Sequence, residues 1–244
     1  MEPVQLYSHC EVTVTNVPWG LARVSNYGKL AAGGPFTYKY NDEAAGQGVV
    51  AYVLDTGIND KHVQFEGRAS RGPKFVTEPR PGTVTDDNDH HGHGTHCAGT
   101  IGSKDYGVAK KVSIVGIKVF NDLPDSDERA GATNADIIAA LEHVVAEHRR
   151  HGKPSVVNLS LGGGASDSLD DWIAVTVRAG VVVCCAAGNE TTPVELTSPA
   201  RAPLAITVGA SDVTDKLTSF SNFGKRKPLQ PNSFNIICER LATN

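Results

Sequence analysis

The sequence predicts an α/β fold, a mainly parallel β-sheet with helices packed against it. Two observations predict it. Continuous apolar, β-branched runs alternate with amphipathic stretches of helical period, as in parallel strands buried on both faces. Glycine is frequent, 25 of 244 residues, in a chain without a repeat, which suits tight turns and close backbone approaches.

The elements follow in chain order. Val49–Leu54 is apolar throughout and reads as a fully buried strand. The small-residue run Gly92–Gly102 reads as a helix packed very closely on its neighbours, with one histidine at its start. Ser113–Phe120 is the next strand, and the polar, acidic stretch Asn121–Ala132 a surface loop. Asn134–His151 is a helix. Ile137, Ile138, Leu141, Val144, Val145 and His148 share one face, and Thr133 or Asn134 can cap it. Ser155–Leu159 is a strand. Ser168–Ala179 is a helix with Asp170 and Asp171 in its first turn and Gly180 just past its end. Val181–Ala186 and Ala205–Val208 are further strands. In such a sheet, sites gather at the carboxyl ends of the strands.

Composition excludes several classes. With 40% hydrophobic and 20% charged residues, the chain is neither disordered nor a coiled coil. A net charge of −4 offers no basic excess for nucleic acid or an anionic membrane. The longest apolar run, Val181–Ala187, is far short of the about 20 residues that cross a bilayer. No basic n-region with an apolar stretch opens the chain, so no signal peptide is visible. Five scattered cysteines, Cys10, Cys97, Cys184, Cys185 and Cys238, are no disulfide framework. Cys184 and Cys185 are adjacent on a strand, point to opposite faces and read as buried thiols.

Four segments can carry chemistry. Asp55 ends the first buried strand and is followed by Thr56-Gly57, which is either a strand-ending turn or a carboxylate facing a crevice. An aspartic protease needs two Asp-Thr-Gly motifs, and this chain has one. Asp86–Thr100 holds His90, His91, His93 and His96 without the spacing of a zinc site or a calcium loop. The strand ending Ser160-Leu161-Gly162-Gly163 leaves backbone groups to which a peptide can add as a further strand. It has no Walker lysine for phosphate. Asn189, after Ala187-Gly188, offers a side-chain amide to an oxyanion or is a plain turn residue.

Together and in this order, Val53-Leu54-Asp55-Thr56-Gly57, His93-Gly94-Thr95-His96-Cys97-Ala98-Gly99-Thr100, Ser160–Gly163 and Ala186-Ala187-Gly188-Asn189 resemble the subtilisin-like serine proteases. The likeness is to their fungal, proteinase K-like branch. Pro18–Arg23, Tyr106–Lys111 and Thr207–Asp212 add to it, and it covers about residues 17–224. The resemblance implies a three-layer fold around a central sheet. It also implies serine endopeptidase activity with an Asp-His-Ser triad. Asp55 would orient His93, which would act as general base and then acid. Asn189 would line the oxyanion hole. Ser160, Leu161, Gly162, Gly163, Ala187 and Gly188 would bind substrate backbone. His96 matches the family's second, structural histidine. Cys97 matches a free cysteine beside the catalytic histidine, which implies mercurial sensitivity.

The family's nucleophile stands in a Gly-Thr-Ser-Met-Ala-Thr-Pro segment, and residues 1–244 contain none. After Asn189 the serines are Ser198, Ser211, Ser219, Ser221 and Ser233, none in that context. Likeness is expected to stop at Gly224 or Lys225, from a truncation, a retained intron or a frameshift, leaving residues 225–244 as a divergent tail and 18–224 as an incomplete peptidase domain. Residues 1–17 read as a propeptide remnant. The chain as written is expected to be inactive, with a non-catalytic peptide-binding pseudoprotease as the alternative. No cofactor is required. A structural calcium would use the backbone carbonyls of Pro203 and Ala205, but its carboxylate would fall near Pro228, where there is none, so the site is incomplete. Expected partners are protein or peptide substrates and an inhibitory propeptide, with the chain a monomer bound to neither nucleic acid nor membrane. The resemblance implies an extracellular or vacuolar address.

Overall fold

The computed structural model describes residues 11–31, 33–77, 86–121 and 131–224. Its centre is a six-stranded, all-parallel sheet in the order β10-β8-β6-β3-β5-β4. These strands are β3 (Val50–Asp55), β4 (Ala69–Lys74), β5 (Ser113–Lys118), β6 (Ser155–Leu159), β8 (Val182–Ala186) and β10 (Ile206–Val208). Helices α3 (Asn134–His151) and α4 (Asp167–Arg178) cover one face, and α2 (His93–Gly102) the other. The expected three layers are present.

Strand β3 lies at the centre and shows why its sequence is continuously apolar. Val50, Tyr52 and Leu54 enter the core built with Ile137, Leu141 and Val144 of α3 and Ile173 of α4. Ala51 and Val53 enter the second core, with Ala98 of α2 and Phe65. A strand that alternates between two dry faces must be apolar at every position. β6 and β8 are less completely covered and alternate buried with half-buried or exposed residues.

The helix ends follow local chemistry. The Thr133 hydroxyl accepts the Asp136 N–H at 3.1 Å and starts α3, and Gly152 ends it in the left-handed conformation. Ser166 caps α4, which therefore begins one residue before the expected Ser168. No described helix is long and apolar enough to cross a membrane.

Six of the described strands and α-helices were not expected. β1 (Glu11–Thr15) pairs antiparallel with β2 (Thr37–Asn41), and α1 (Trp19–Val24) lies between them. They form a small core of Val17, Leu21, Ala22 and Tyr38. β4 is an edge strand whose residues are mostly half-buried or exposed. Two two-residue strands, β7 (Gly163–Gly164) and β9 (Thr197–Ser198), pair antiparallel. Most of the acidic loop 121–132, the tail 225–244, Cys10 and Cys238 lie outside the described residues. No disulfide joins Cys184 to Cys185, and Cys185 is the more buried.

Candidate active site

Positions 51 and 53 of β3 face α2, so the same alternation turns Asp55 toward that helix. α2 begins at His93, and the two side chains meet at the carboxyl edge of the sheet. His93 Nδ1 lies 2.7 Å from Asp55 Oδ1. Asp55 is fully buried, and its Oδ1 also accepts the Thr56 N–H at 2.7 Å. Its Oδ2 is buried with no hydrogen-bond partner among the described residues. The His93 side chain is 45% exposed, so the couple has a dry end and a wet end. The hydrogen bond to Asp55, then that with Cys97, pushes the imidazole pKa up to about 10, against burial that pulls it down. Cys97 Sγ stands one turn along, 3.9 Å from Nδ1 and 4.0 Å from Nε2.

Helix α2 can approach this closely because of its glycines. A Cβ on Gly94 would stand 2.2 Å from the Gly57 carbonyl oxygen, and one on Gly102 would stand 2.5 Å from Val112. The small-residue run is the price of bringing a helix down onto a strand.

Three residues that the sequence reading did not single out brace the segments that form the site. Asp89 accepts four hydrogen bonds. The Thr56 hydroxyl (2.7 Å) and Gly92 N–H (2.8 Å) reach Oδ1, and the Thr95 N–H (2.8 Å) and hydroxyl (2.5 Å) reach Oδ2. Burial raises its pKa, but those hydrogen bonds outweigh it and hold the carboxyl below its ordinary value. Lys118, at the end of β5 and 3% exposed, donates to the carbonyls of Thr56 (2.6 Å) and Asn88 (3.2 Å). Asn222, 2% exposed, donates to the Ala187 carbonyl (2.9 Å) and accepts the N–H groups of Glu190 and Thr192 at 3.0 Å. A lysine ending an apolar strand, and an aspartate three residues before a glycine that opens a helix, were the available signals.

The other candidate residues emerge on the same edge. β3, β6 and β8 are consecutive and parallel, so the segments after Asp55, Leu159 and Ala186 leave side by side, about 10 Å across in all. Leu161 is core, whereas Gly162 and Gly163 are exposed. Ser160 Oγ accepts from Asn158 Nδ2 at 2.9 Å, and Gly163 faces Ser198 in the short ladder. The Ala187 N–H is taken by the Val208 carbonyl (2.8 Å), and the Gly188 carbonyl by the Asn222 N–H (3.0 Å). A substrate strand would meet this segment through its other groups. Asn189 is exposed, its N–H reaches Glu190 Oε2 at 3.0 Å, and its side-chain amide makes no hydrogen bond among the described residues. His96 is exposed on α2.

The residues that could hold calcium are fewer. Pro203 and Ala205 stand in the turn before β10, where the Ala205 N–H donates to the Ala202 carbonyl at 3.2 Å. Calcium takes six to eight oxygens. Among the described residues the one group of acidic, His or Cys ligand atoms drawn together is Asp55, His93 and Cys97, within 4.8 Å. That mixed oxygen, nitrogen and sulfur set does not suit calcium, and the position near Pro228 lies outside the described residues.

A buried carboxylate holding an imidazole at the carboxyl edge of a three-layer parallel sheet defines an α/β protein with an acid–base couple at the end of its central strand. A family model described as the subtilase family matches residues 46–238, running past Gly224, where the likeness was expected to end. The chain belongs to this family of subtilisin-like serine endopeptidases. It is 42% identical over 213 residues to a cuticle-degrading protease of Metarhizium anisopliae, covering 86% of this chain and 50% of that one. It is 44% identical over 240 residues to a subtilisin-like serine protease, Rho m 2.0101, of Rhodotorula mucilaginosa, covering 96% and 66%. A cold-adapted subtilisin-like serine proteinase superposes with a TM-score of 0.72 at 40% identity, over 86% of this chain and 70% of that one. The chain thus spans 50% and 47% of the length of two of its relatives, about half.

Proposed function

We propose that this chain carries the general-base half of a serine endopeptidase that cleaves protein or peptide substrates. The observation that carries the reading is the 2.7 Å bond between His93 Nδ1 and Asp55 Oδ1. Asp55 fixes the tautomer and orientation of the ring and stabilises its charged form. In its neutral form, which gains population as pH rises toward the raised pKa, His93 takes the proton of a serine hydroxyl on Nε2 and later returns it to the leaving amine. Asn189 donates to the oxyanion, a contribution of about 10²–10³ in turnover for a donor of this type. Substrate backbone lies along Ser160–Gly163 and beside Ala187–Gly188. Cys97 is the thiol through which a mercurial would reach the ring.

Residues 1–244 taken alone supply no serine in the nucleophile context, and no described hydroxyl hydrogen-bonds to His93. This polypeptide by itself is expected to show no peptidase activity. The test has two parts. Residues 1–244 incubated with casein and a fluorophosphonate probe should show neither cleavage nor labelling. Serine labelling that disappears in His93→Ala would overturn the inactivity. A chimera joining residues 18–224 to the nucleophile-bearing C-terminal segment of a relative should hydrolyse casein. Asp55→Asn and His93→Ala should each cost it about 10⁴-fold or more. A folded chimera indifferent to both would leave the peptide-binding reading in its place.

A further inference from the structure

We propose that Asp89 is a positioning residue, one that locks the start of α2 onto the end of β3 and so sets the approach of His93 to Asp55. The inference rests on the reading of that couple given above.

The geometry is closed on every side. Asp89 Oδ1 takes the hydroxyl of Thr56, the residue after Asp55. The same hydroxyl oxygen accepts the N–H of Gly94, the residue after His93, at 2.9 Å. Thr56 is thus a rivet between strand and helix, and Asp89 fixes its orientation by claiming its proton. A hydroxyl has one proton, so giving it to Asp89 leaves the lone pairs for Gly94. Asp89 Oδ1 also takes the Gly92 N–H and Oδ2 the Thr95 N–H, groups that an α-helix start leaves without intrahelical acceptors. The carboxylate also faces the helix N-terminus, where negative charge is favoured. The Thr95 hydroxyl continues the chain by accepting the Asn59 N–H at 2.9 Å. Lys118 ties the carbonyls on either side, at Thr56 and Asn88. The helix has no side-chain cap at Gly92, so Asp89 acts in its place from three residues upstream.

This network governs a distance and not merely a fold. Gly94 already lies against the Gly57 carbonyl, so α2 can relax only away from β3. Such a movement lengthens the His93–Asp55 bond, the largest cause of the raised imidazole pKa. The titratable groups set against the ring among the described residues are Asp55 from β3, Cys97 from α2 itself and His91 from the preceding loop, its ring 6.1 Å away. None of them is altered by a change at Asp89 or Thr56.

The experiment is an NMR titration of the His93 imidazole in residues 1–244. Wild type should titrate above the ordinary 6.5, because Asp55 favours the charged ring. Asp89→Asn, which keeps the shape, should lower the midpoint by at least about one unit. Thr56→Val, which leaves Asp89 charged, should lower it similarly, and Thr56→Ser should restore it. Thr95→Val replaces Thr56→Val if that variant does not fold. An unmoved midpoint in folded variants overturns the proposal. A shift in Asp89→Asn alone also overturns it, because that is a field effect without repositioning. A wild-type midpoint that does not fall in Asp55→Asn instead overturns the Asp55–His93 couple, and Asp89's part with it.

Discussion

At neutral pH the His93 ring holds a proton that Asp55 keeps in place, and this makes stability depend on pH in a definite direction. The folded pKa, about 10, lies above the ordinary 6.5, so the folded chain binds the proton more tightly than the unfolded one. The resulting stabilisation is fully present below about pH 6.5 and disappears as pH rises through about 10. His93→Ala should therefore cost most in Tm near pH 6, and the deficit should shrink in melts recorded toward pH 10. A deficit constant across that window would show that the ring is not held by Asp55. Asp55 and His93 were legible in the sequence because each sits in a short motif with its own chemistry. Lys118 and Asn222 were not, since their partners lie 30 to 62 residues away at Asn88 and Thr56, or 35 away at Ala187. A lysine ending an apolar strand hints at Lys118, but nothing local names its partners. Asp89 stood inside the acidic run Asp86–Asp89, which the sequence analysis weighed only for metal spacing.

The elements divide by how much of their cause is local. α3 was readable to the residue, because Thr133 starts it, Gly152 stops it and one apolar face runs between. β4 escaped notice because Ala69-Ser70-Arg71-Gly72-Pro73-Lys74 has no apolar run. An edge strand needs none, and proline is tolerated there. β1 and β2 did carry a signal, the alternation of Val12 with Val14 and of Tyr38 with Tyr40, but each is only five residues long. α2 shows packing deciding an element's composition. Gly94→Ala should force the helix off Gly57 and destabilise the chain by about 1–3 kcal/mol, read as a lower denaturant midpoint. Gly99→Ala, where a Cβ meets nothing within 4 Å, is the control and should leave the midpoint unchanged or higher. Equal loss in both would mean that α2 does not press on β3 at Gly94.

For the molecule as a whole, the sheet does two jobs at once, since the strand that divides the two cores also delivers the carboxylate. Calcium is expected to add little to this framework. Pro203 and Ala205 offer calcium two carbonyls, so the Tm of residues 1–244 should move little between excess calcium and a chelator. Binding tighter than micromolar by calorimetry would contradict that, as a tight ligand must raise Tm. The first helix is clasped to the last described loop by Arg23, whose Nε and Nη2 reach Asp215 at 2.6 and 3.3 Å, so early and late sequence share one body. The alternation of β3 has a further consequence for how its gene can drift. Substitutions at Ala51 or Val53 are judged one at a time, but losing or gaining a single codon between Val50 and Leu54 rotates everything beyond it. Asp55 would then point into the Leu141 and Ile173 side, away from His93. β4 already breaks register with β5 between Arg71 and Lys74, so length variation can be absorbed at that margin. Descendants of this chain should differ in length at the margin of the sheet and keep the codon count of its central strand.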